Sequence, residues 1–553
     1  MNQIAPLYSI NSIKLKLYQG VLLLGIFFIF LEVLFFFTGV QNGMLLNNVT
    51  ILYSDSILKL AFYLFTIILC IASMGVVPML KNKILSGVSG TMIICCYTID
   101  LIYSRINGRG MSFNELPIIF TEYQNNFLNT ISYYFPQIIV GIIAGIFIMI
   151  LFILVRRQSQ GRISNISMIY PIFSILLVLS IQLKTGATFT LPLPSFQKIS
   201  SYLIYWNLYP SYYGDREPLK IQPEFQKKYQ NIVWILDCSV NGKYLGINNK
   251  EFHTTPFLSK NTRLFKNAGT ALSVTNCSAT TNIFLMGVGH VNDLPDFQER
   301  LLKSPSIFAF AKNAGYKTAY LSAQSHGSQL QNYMTKYDLE DLDYFHQPTT
   351  KNEKNETLAD ELLAEEIINY LNQNGGSFIY AVKSGSHFPW QNNYPSNEEI
   401  FQPSMGENES ISSSDSLLRL NTYLNSIRWK TDHFFQTLLS DKSILDNTLI
   451  IYTSDHGQVI NGNSNQTHCS THNPEIDEGI VPLLFFSNDL QRINKLSGSA
   501  ITRTHFEIIP ITKIAMGYDV QLSQSKEVDS FFYGHLFPKN QYQQNGNKFI
   551  LNQ

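Results

Sequence analysis

Apolar residues crowd into the first third of the chain, in five near-continuous stretches: Gly20–Val40, Ile57–Leu80, Val88–Ile106, Ile138–Val155 and Met168–Leu183. A helix needs about 20 such residues to cross a hydrocarbon core. The pattern therefore predicts five membrane spans, the last of them short and carrying Pro171. The first stretch reads as a retained span, because four more follow it and no small-residue cleavage site is evident. Loop charge orients the bundle. Lys14 and Lys16, then Lys81 and Lys83, then Arg156, Arg157 and Arg162 fall on one side, which the positive-inside rule makes cytoplasmic. Arg109, in an outward loop, is the exception. An odd number of spans leaves everything after residue 184 outside.

The segment Thr185–Leu219 is rich in Tyr202, Tyr205, Trp206, Tyr209, Tyr212 and Tyr213, residue types that favour the membrane–water boundary. It is expected to be an interfacial connector ending near Pro218. From there the pattern changes. Short apolar runs at Asn231–Leu236, Thr318–Leu321, Ser377–Val382, Thr448–Tyr452 and Val481–Phe486 alternate with helix-like stretches at Ser306–Ala314, Leu358–Asn372 and Leu417–Leu439. Such alternation predicts an α/β domain with a mostly parallel sheet and helices on both faces. The expected organisation is a transmembrane domain over 1–184, a connector over 185–219 and an external domain over 220–553.

Composition narrows the function. With 40 basic and 40 acidic residues the chain has no net charge, so a nucleic-acid partner is not expected. The predicted spans carry only Glu32 and Asp100 internally, with Lys59 and Arg105 at span ends, too few charges for a transport path. Of the six cysteines, Cys238, Cys277 and Cys469 lie in the polar part. Three scattered cysteines make a poor disulfide framework, so free buried thiols are expected.

In parallel-sheet domains ligands bind beyond the carboxyl ends of the strands. Those ends are chemically rich here. Asp237 follows the first run, Ser384-Gly385-Ser386-His387-Phe388-Pro389 follows the third, and Ser454-Asp455-His456-Gly457 follows the fourth, with His468 and His472 a little beyond. Convergent carboxylates and imidazoles suit a zinc-like divalent cation, Zn2+ first and Mn2+ or Mg2+ next. The segment Asn276-Cys277-Ser278-Ala279-Thr280-Thr281-Asn282 runs into the apolar Ile283–Met286 like a helix start, where free N–H groups attract an anion and a metal activates a hydroxyl. Which of Cys277, Ser278, Thr280 or Thr281 is the nucleophile stays open.

The stretch Asn231–Gly287 resembles the opening of the sulfatase family: a strand ending in an acidic ligand, then Thr254-Thr255-Pro256-Phe257-Leu258, Phe265-Lys266-Asn267-Ala268 and the nucleophile segment. Ser454–Gly457 is similar to that superfamily's second ligand motif. Within it, Ser384–Pro389 and Asn425–Phe434 resemble the lipid A phosphoethanolamine transferases, the second with one extra residue before Thr431. Five spans before an external catalytic domain match that family's layout. The resemblance implies a multi-pass protein of the bacterial inner membrane with a periplasmic catalytic domain. Its metal ligands would be Asp237, Asp455, His456 and a threonine that is also the nucleophile, Thr280 before Thr281. His387 and one of His468 and His472 would bind the transferred group or a second metal. The implied reaction moves phosphoethanolamine from a membrane phospholipid to a glycolipid or glycan acceptor through a phosphothreonine. Departures are Asp237 where the family has Glu, and Ala279 and Thr281 in place of the Pro and Arg that accompany conversion of a sulfatase's cysteine to formylglycine. The alternatives are a phosphoglycerol transferase, a sulfate or phosphate ester hydrolase, or an inactive lipid-binding relative.

Overall fold

The computed structural model describes residues 57–534 and 542–544 apart from 108–110, 112–133, 160–161, 186–192, 209–211, 295, 297, 325–329, 349–355, 407–408, 410, 412–413, 463–465, 471–473, 497–503 and 521–530. The chain divides into two compact units, Met1–Pro210 and Ser211–Gln553.

In the first unit four helices are long and apolar enough to cross a membrane: α1 (Ile57–Val76, extended by a 3-10 turn to Met79), α2 (Lys83–Asn107), α3 (Phe135–Ser159) and α4 (Ile169–Thr185). They coincide with four of the five apolar stretches; Gly20–Val40 lies outside the described residues. Large apolar side chains such as Leu58, Phe62, Ile143 and Phe173 point outward, as a lipid solvent allows. Small and polar groups sit between helices: Ser73 Oγ meets Ser174 Oγ at 2.9 Å, and the Gln197 amide donates to both hydroxyls at 3.2 Å. Helix-to-helix hydrogen bonds of this kind hold membrane bundles together. Gln197 belongs to α5 (Ser195–Leu208), the ordered part of the expected connector. It is a packed member of this unit, with Phe196, Ile199, Tyr202 and Tyr205 buried among the spans. Lys198 on α5 pairs at 3.0 Å with Asp100, which accounts for an acidic residue inside a span.

The second unit is built on a seven-stranded sheet: β1 (Asn231–Asp237), β2 (Phe265–Leu272), β3 (Lys317–Ser322), β4 (Tyr344–His346), β5 (Ser377–Val382), β6 (Thr448–Ser454) and β7 (Ile480–Phe486). The spatial order is β2-β7-β6-β1-β5-β3-β4, and only β7 runs against the other six. Both faces are covered. Ile232, Trp234 and Leu236 join one core while Val233 and Ile235, pointing the other way, join a second. That is why the strands read as continuous apolar runs. The helices that matter below are α6 (Ser278–Met286), α7 (Ile307–Asn313), α8 (Ala359–Gln373), α9 (Ser416–Ile427) and α10 (Phe434–Leu438). The central trio β5-β1-β6 sets the site. Leu236 lies beside Val382 and Asp237 beside Ser454, so the residues after all three strands emerge together.

Candidate active site

At this shared edge the Cys238 thiol, the Asp455 carboxylate and the His456 imidazole converge. One ligand atom from each lies within 4.8 Å of the others, and all three residues are buried. Asp455 follows β6 directly, held by its N–H donating to the Asp237 carbonyl at 2.8 Å. Its Oδ1 accepts from the backbone N–H groups of His456 (2.8 Å) and Ser239 (3.2 Å). Its Oδ2 is buried and has no hydrogen-bond partner. His456 Nδ1 lies 2.7 Å from the Gly457 carbonyl. A carbonyl only accepts, so Nδ1 carries the proton and Nε2 presents a lone pair to the cluster. An orphaned carboxylate oxygen, an imidazole lone pair and a thiol are the donor types a divalent transition cation takes, so these residues fit such an ion. Burial, reinforced by Asp455, pushes the Cys238 thiol well above its usual range.

The hydroxyl of Ser278, at the first position of α6, reaches both the imidazole and the thiol of this cluster. Its Oγ lies 3.1 Å from His456 Nε2 and 3.8 Å from Cys238 Sγ. Ser278 thus stands at a helix N-terminus, where free N–H groups favour an anion. Thr280 and Thr281 turn elsewhere: their hydroxyls close on Thr275 Oγ1 at 2.5 and 2.9 Å. Cys277 is joined to Cys469 in a disulfide with Cα atoms 4.7 Å apart, which corrects the expectation of free thiols and leaves Cys277 no thiol to react. The pairing escaped the sequence because the partners are 192 residues apart. A polar clasp reinforces it. Asn276 donates to Glu478 (2.8 Å) and to the Ser470 carbonyl (2.9 Å), and the Cys469 N–H donates to the Asn276 carbonyl at 2.8 Å.

Asp237 is not in the cluster. Its Oδ2 accepts from Lys383 Nζ (2.5 Å), the Tyr452 hydroxyl (2.8 Å) and Thr431 Oγ1 (3.3 Å), while Oδ1 accepts from the Cys238 N–H (3.0 Å). Lys383 and Lys430 also flank Asp360, whose carboxylate receives the N–H groups of Ser384 and Gly385. Burial alone would raise the Asp360 carboxyl, but Lys430, Lys383 and these N–H groups hold it below the usual range. Behind the cluster there is thus a matched, fully buried set of charges.

Two further histidines line the site. His468 stacks on His456 with ring centres 4.3 Å apart, and His387 meets His468 edge-on at 5.7 Å. Burial and the neighbouring rings push His468 well below its usual range, and burial lowers His387. His387 Nδ1 donates to the Phe388 carbonyl at 2.6 Å, which leaves its Nε2 as an acceptor. His472 lies outside the described residues. Sequence reasoning missed Cys238 as a member of the cluster, and the acid at the preceding position drew attention away from it. It also missed the buried charges Lys383, Asp360 and Lys430.

Comparison with solved structures places this architecture. The integral membrane lipooligosaccharide phosphoethanolamine transferase A (EptA) from Neisseria meningitidis matches with a TM-score of 0.60 at 15% identity, over 88% of this chain and 95% of that one. The C-terminal periplasmic domain of EcEptC from Escherichia coli matches with a TM-score of 0.48 at 18% identity, over 60% of this chain and 96% of that one. The same domain has been solved in complex with Zn. These likenesses are of fold. No curated protein matches by sequence. The sequence model of the Sulfatase family, however, matches residues 230–510. That match spans more than half of the chain and contains every strand-end residue described above, and on it the chain belongs to the sulfatase family.

Proposed function

We propose that the protein is a metal-dependent phosphoethanolamine transferase that takes its group from a membrane phospholipid and passes it to a cell-envelope glycolipid or glycan. The observation that carries this reading is Ser278 Oγ at a helix start, 3.1 Å from Nε2 of His456, which clusters with an Asp455 whose Oδ2 has no hydrogen-bond partner. Ser278 replaces the threonines as the proposed nucleophile. Asp455 and His456 would hold a divalent cation, which when bound stabilises the Ser278 alkoxide and the charge on phosphorus. Ser278 Oγ attacks the donor phosphorus. The Oγ–P bond forms, the bond from phosphorus to the glyceride oxygen breaks, and the hydroxyl proton ends on the released diacylglycerol. An acceptor hydroxyl then attacks the phosphoserine. The acceptor O–P bond forms and the P–Oγ bond breaks; His387, whose Nε2 is an acceptor, is suited to take the acceptor's proton, which ends on Ser278 Oγ. The spans support the reading by keeping the second unit at a bilayer, where such a donor resides. The catalytic unit is proposed to lie on the periplasmic side of the inner membrane.

The test is incubation of the full chain with headgroup-labelled phosphatidylethanolamine and, separately, phosphatidylglycerol, followed by mass spectrometry of the Asn276–Asn282 peptide. A phosphoethanolamine adduct on Ser278 is expected, absent from Ser278→Ala and retained in Thr280→Ala and Thr281→Ala. A glycerophosphate adduct would move the protein to the phosphoglycerol transferases, and full transfer by Ser278→Ala would remove Ser278 from the mechanism.

A further inference from the structure

Of the two adjacent residues at the end of β1, the carboxylate is committed and the thiol is not. Asp237 receives four hydrogen bonds, from Lys383, Tyr452, Thr431 and the Cys238 N–H. Turning it toward Asp455 would take from the ammonium of Lys383, a side chain with no solvent exposure, its carboxylate partner at 2.5 Å and leave it Asp360 at 3.8 Å. A buried charge deprived of its partner is strongly destabilising. Cys238 has no such duty. Its Sγ makes only long contacts, 3.6 Å to Ser239 Oγ and 3.8 Å to Ser278 Oγ. It is also the atom that lies within 4.8 Å of donor atoms on Asp455 and His456. The Asp455 oxygen without a donor shows that the cluster, as protein alone, is missing a positive partner.

We propose that Cys238 is a metal ligand, so that the centre is a thiolate–carboxylate–imidazole site selective for a zinc-like, thiophilic cation over Mg2+ and Mn2+. The inference rests on the metal-dependent reading above and specifies the ion. Magnesium and manganese prefer all-oxygen cages, whereas thiolate donors select zinc and its neighbours in the first transition row. Binding deprotonates the thiol and releases one proton to solvent. No oxidation is involved. Ser278, 3.8 Å from Cys238 Sγ, would then face an ion already partly neutralised by two anionic ligands. Three protein ligands are the number that catalytic zinc centres use, and Cys238, Asp455 and His456 would supply them.

The experiment strips the detergent-purified full chain of metal and reloads it with Co2+ or Zn2+. Wild type is expected to show a thiolate-to-cobalt charge-transfer band in the near ultraviolet, and excess Mg2+ is expected to displace none of the cobalt. Cys238→Ser and Cys238→Asp should lose the band, and Cys238→Asp should gain affinity for Mn2+. X-ray absorption of the zinc-loaded wild type should show one sulfur at about 2.3 Å beside nitrogen and oxygen at about 2.0–2.2 Å. This measurement decides the matter alone if the variants do not fold. Bound metal with oxygen and nitrogen neighbours only, or a charge-transfer band that persists in Cys238→Ser, overturns the thiolate and leaves the metal-dependent reading standing. A protein that takes up neither ion overturns both.

Discussion

A buried ammonium must be matched where it sits, and Lys383 is matched by Asp237 at 2.5 Å, the Lys430 carbonyl at 2.5 Å and Asp360 at 3.8 Å. Lys383→Met leaves two carboxylates facing each other without that charge. Removing one partner of such a set costs about 3–5 kcal/mol, so a large fall in thermal midpoint is expected by calorimetry. Adding Asp237→Asn to Lys383→Met should restore much of the loss, an outcome that a purely steric role for Lys383 would not produce. At this scale the sequence was legible in chemistry but not in direction. Asp455, His456, His387 and His468 all reach one place, because each follows a strand in a sheet whose order is built from long apolar runs. Asp237 and Cys238 are neighbours whose side chains leave the strand toward opposite sides. Which of the two faces the cluster depends on Lys383, 146 residues away, and no local pattern contains that information. The same holds for Ser278 against Thr280 and Thr281, whose hydroxyls are drawn away by Thr275.

The stretch Leu417–Leu439, predicted as one helix, is continuous but not uniform: α9 passes through a π-helical turn at Arg428–His433 into α10. A π turn absorbs one additional residue without breaking the helix. The turn delivers Lys430 and Thr431 to the buried charges and Asp432 to the N–H groups of Phe257 and Leu258 at 2.8 and 2.9 Å. The strands least visible in sequence were β2 and β4. β2 carries a register shift between Asn267 and Thr270 and has few apolar residues, and β4 has only three residues. The loop after β5 is the most constrained of these elements. Gly385 has φ +65°, and a Cβ there would collide with the carbonyl oxygen and amide nitrogen of Cys238. Gly385→Ala is therefore expected to cost about 1–3 kcal/mol in backbone strain. It should also displace Cys238, which would be read as weaker zinc retention against a chelator at temperatures where the variant stays folded.

For the whole molecule, the division into a spanning unit and a sheet-based unit was readable from hydropathy alone, since a helix in lipid tolerates no long polar interruption. The boundary at Pro210 was less so, because α5 contains Gln197 and Lys198 and resembles a polar connector until their partners Ser73, Ser174 and Asp100 are known. What sequence reading could not supply was the long-range closure by Cys277–Cys469. Its two ends adjoin Ser278 and His468, so the bond fixes the segment of the proposed nucleophile against the ring stacked on His456. In Cys277→Ser/Cys469→Ser the clasp of Asn276, Ser470 and Glu478 remains, so the fold should persist with a lowered thermal midpoint. Group transfer should fall at least ~10-fold, about 1.4 kcal/mol of barrier, in kcat rather than KM. Unchanged kcat in the double variant would assign the bond to stability alone.

The disulfide also gives the protein a birth order. Bonds of this kind form outside the reducing interior of the cell. A newly made chain carries Ser278 and His468 on segments whose two cysteines, which will join them, are 192 positions apart. With the second unit exported as proposed, no disulfide holds those segments in line until it has left the compartment of its synthesis. Completion of the site is then coupled to formation of the bond: a copy still in a reducing compartment lacks the link that sets Ser278 against His468.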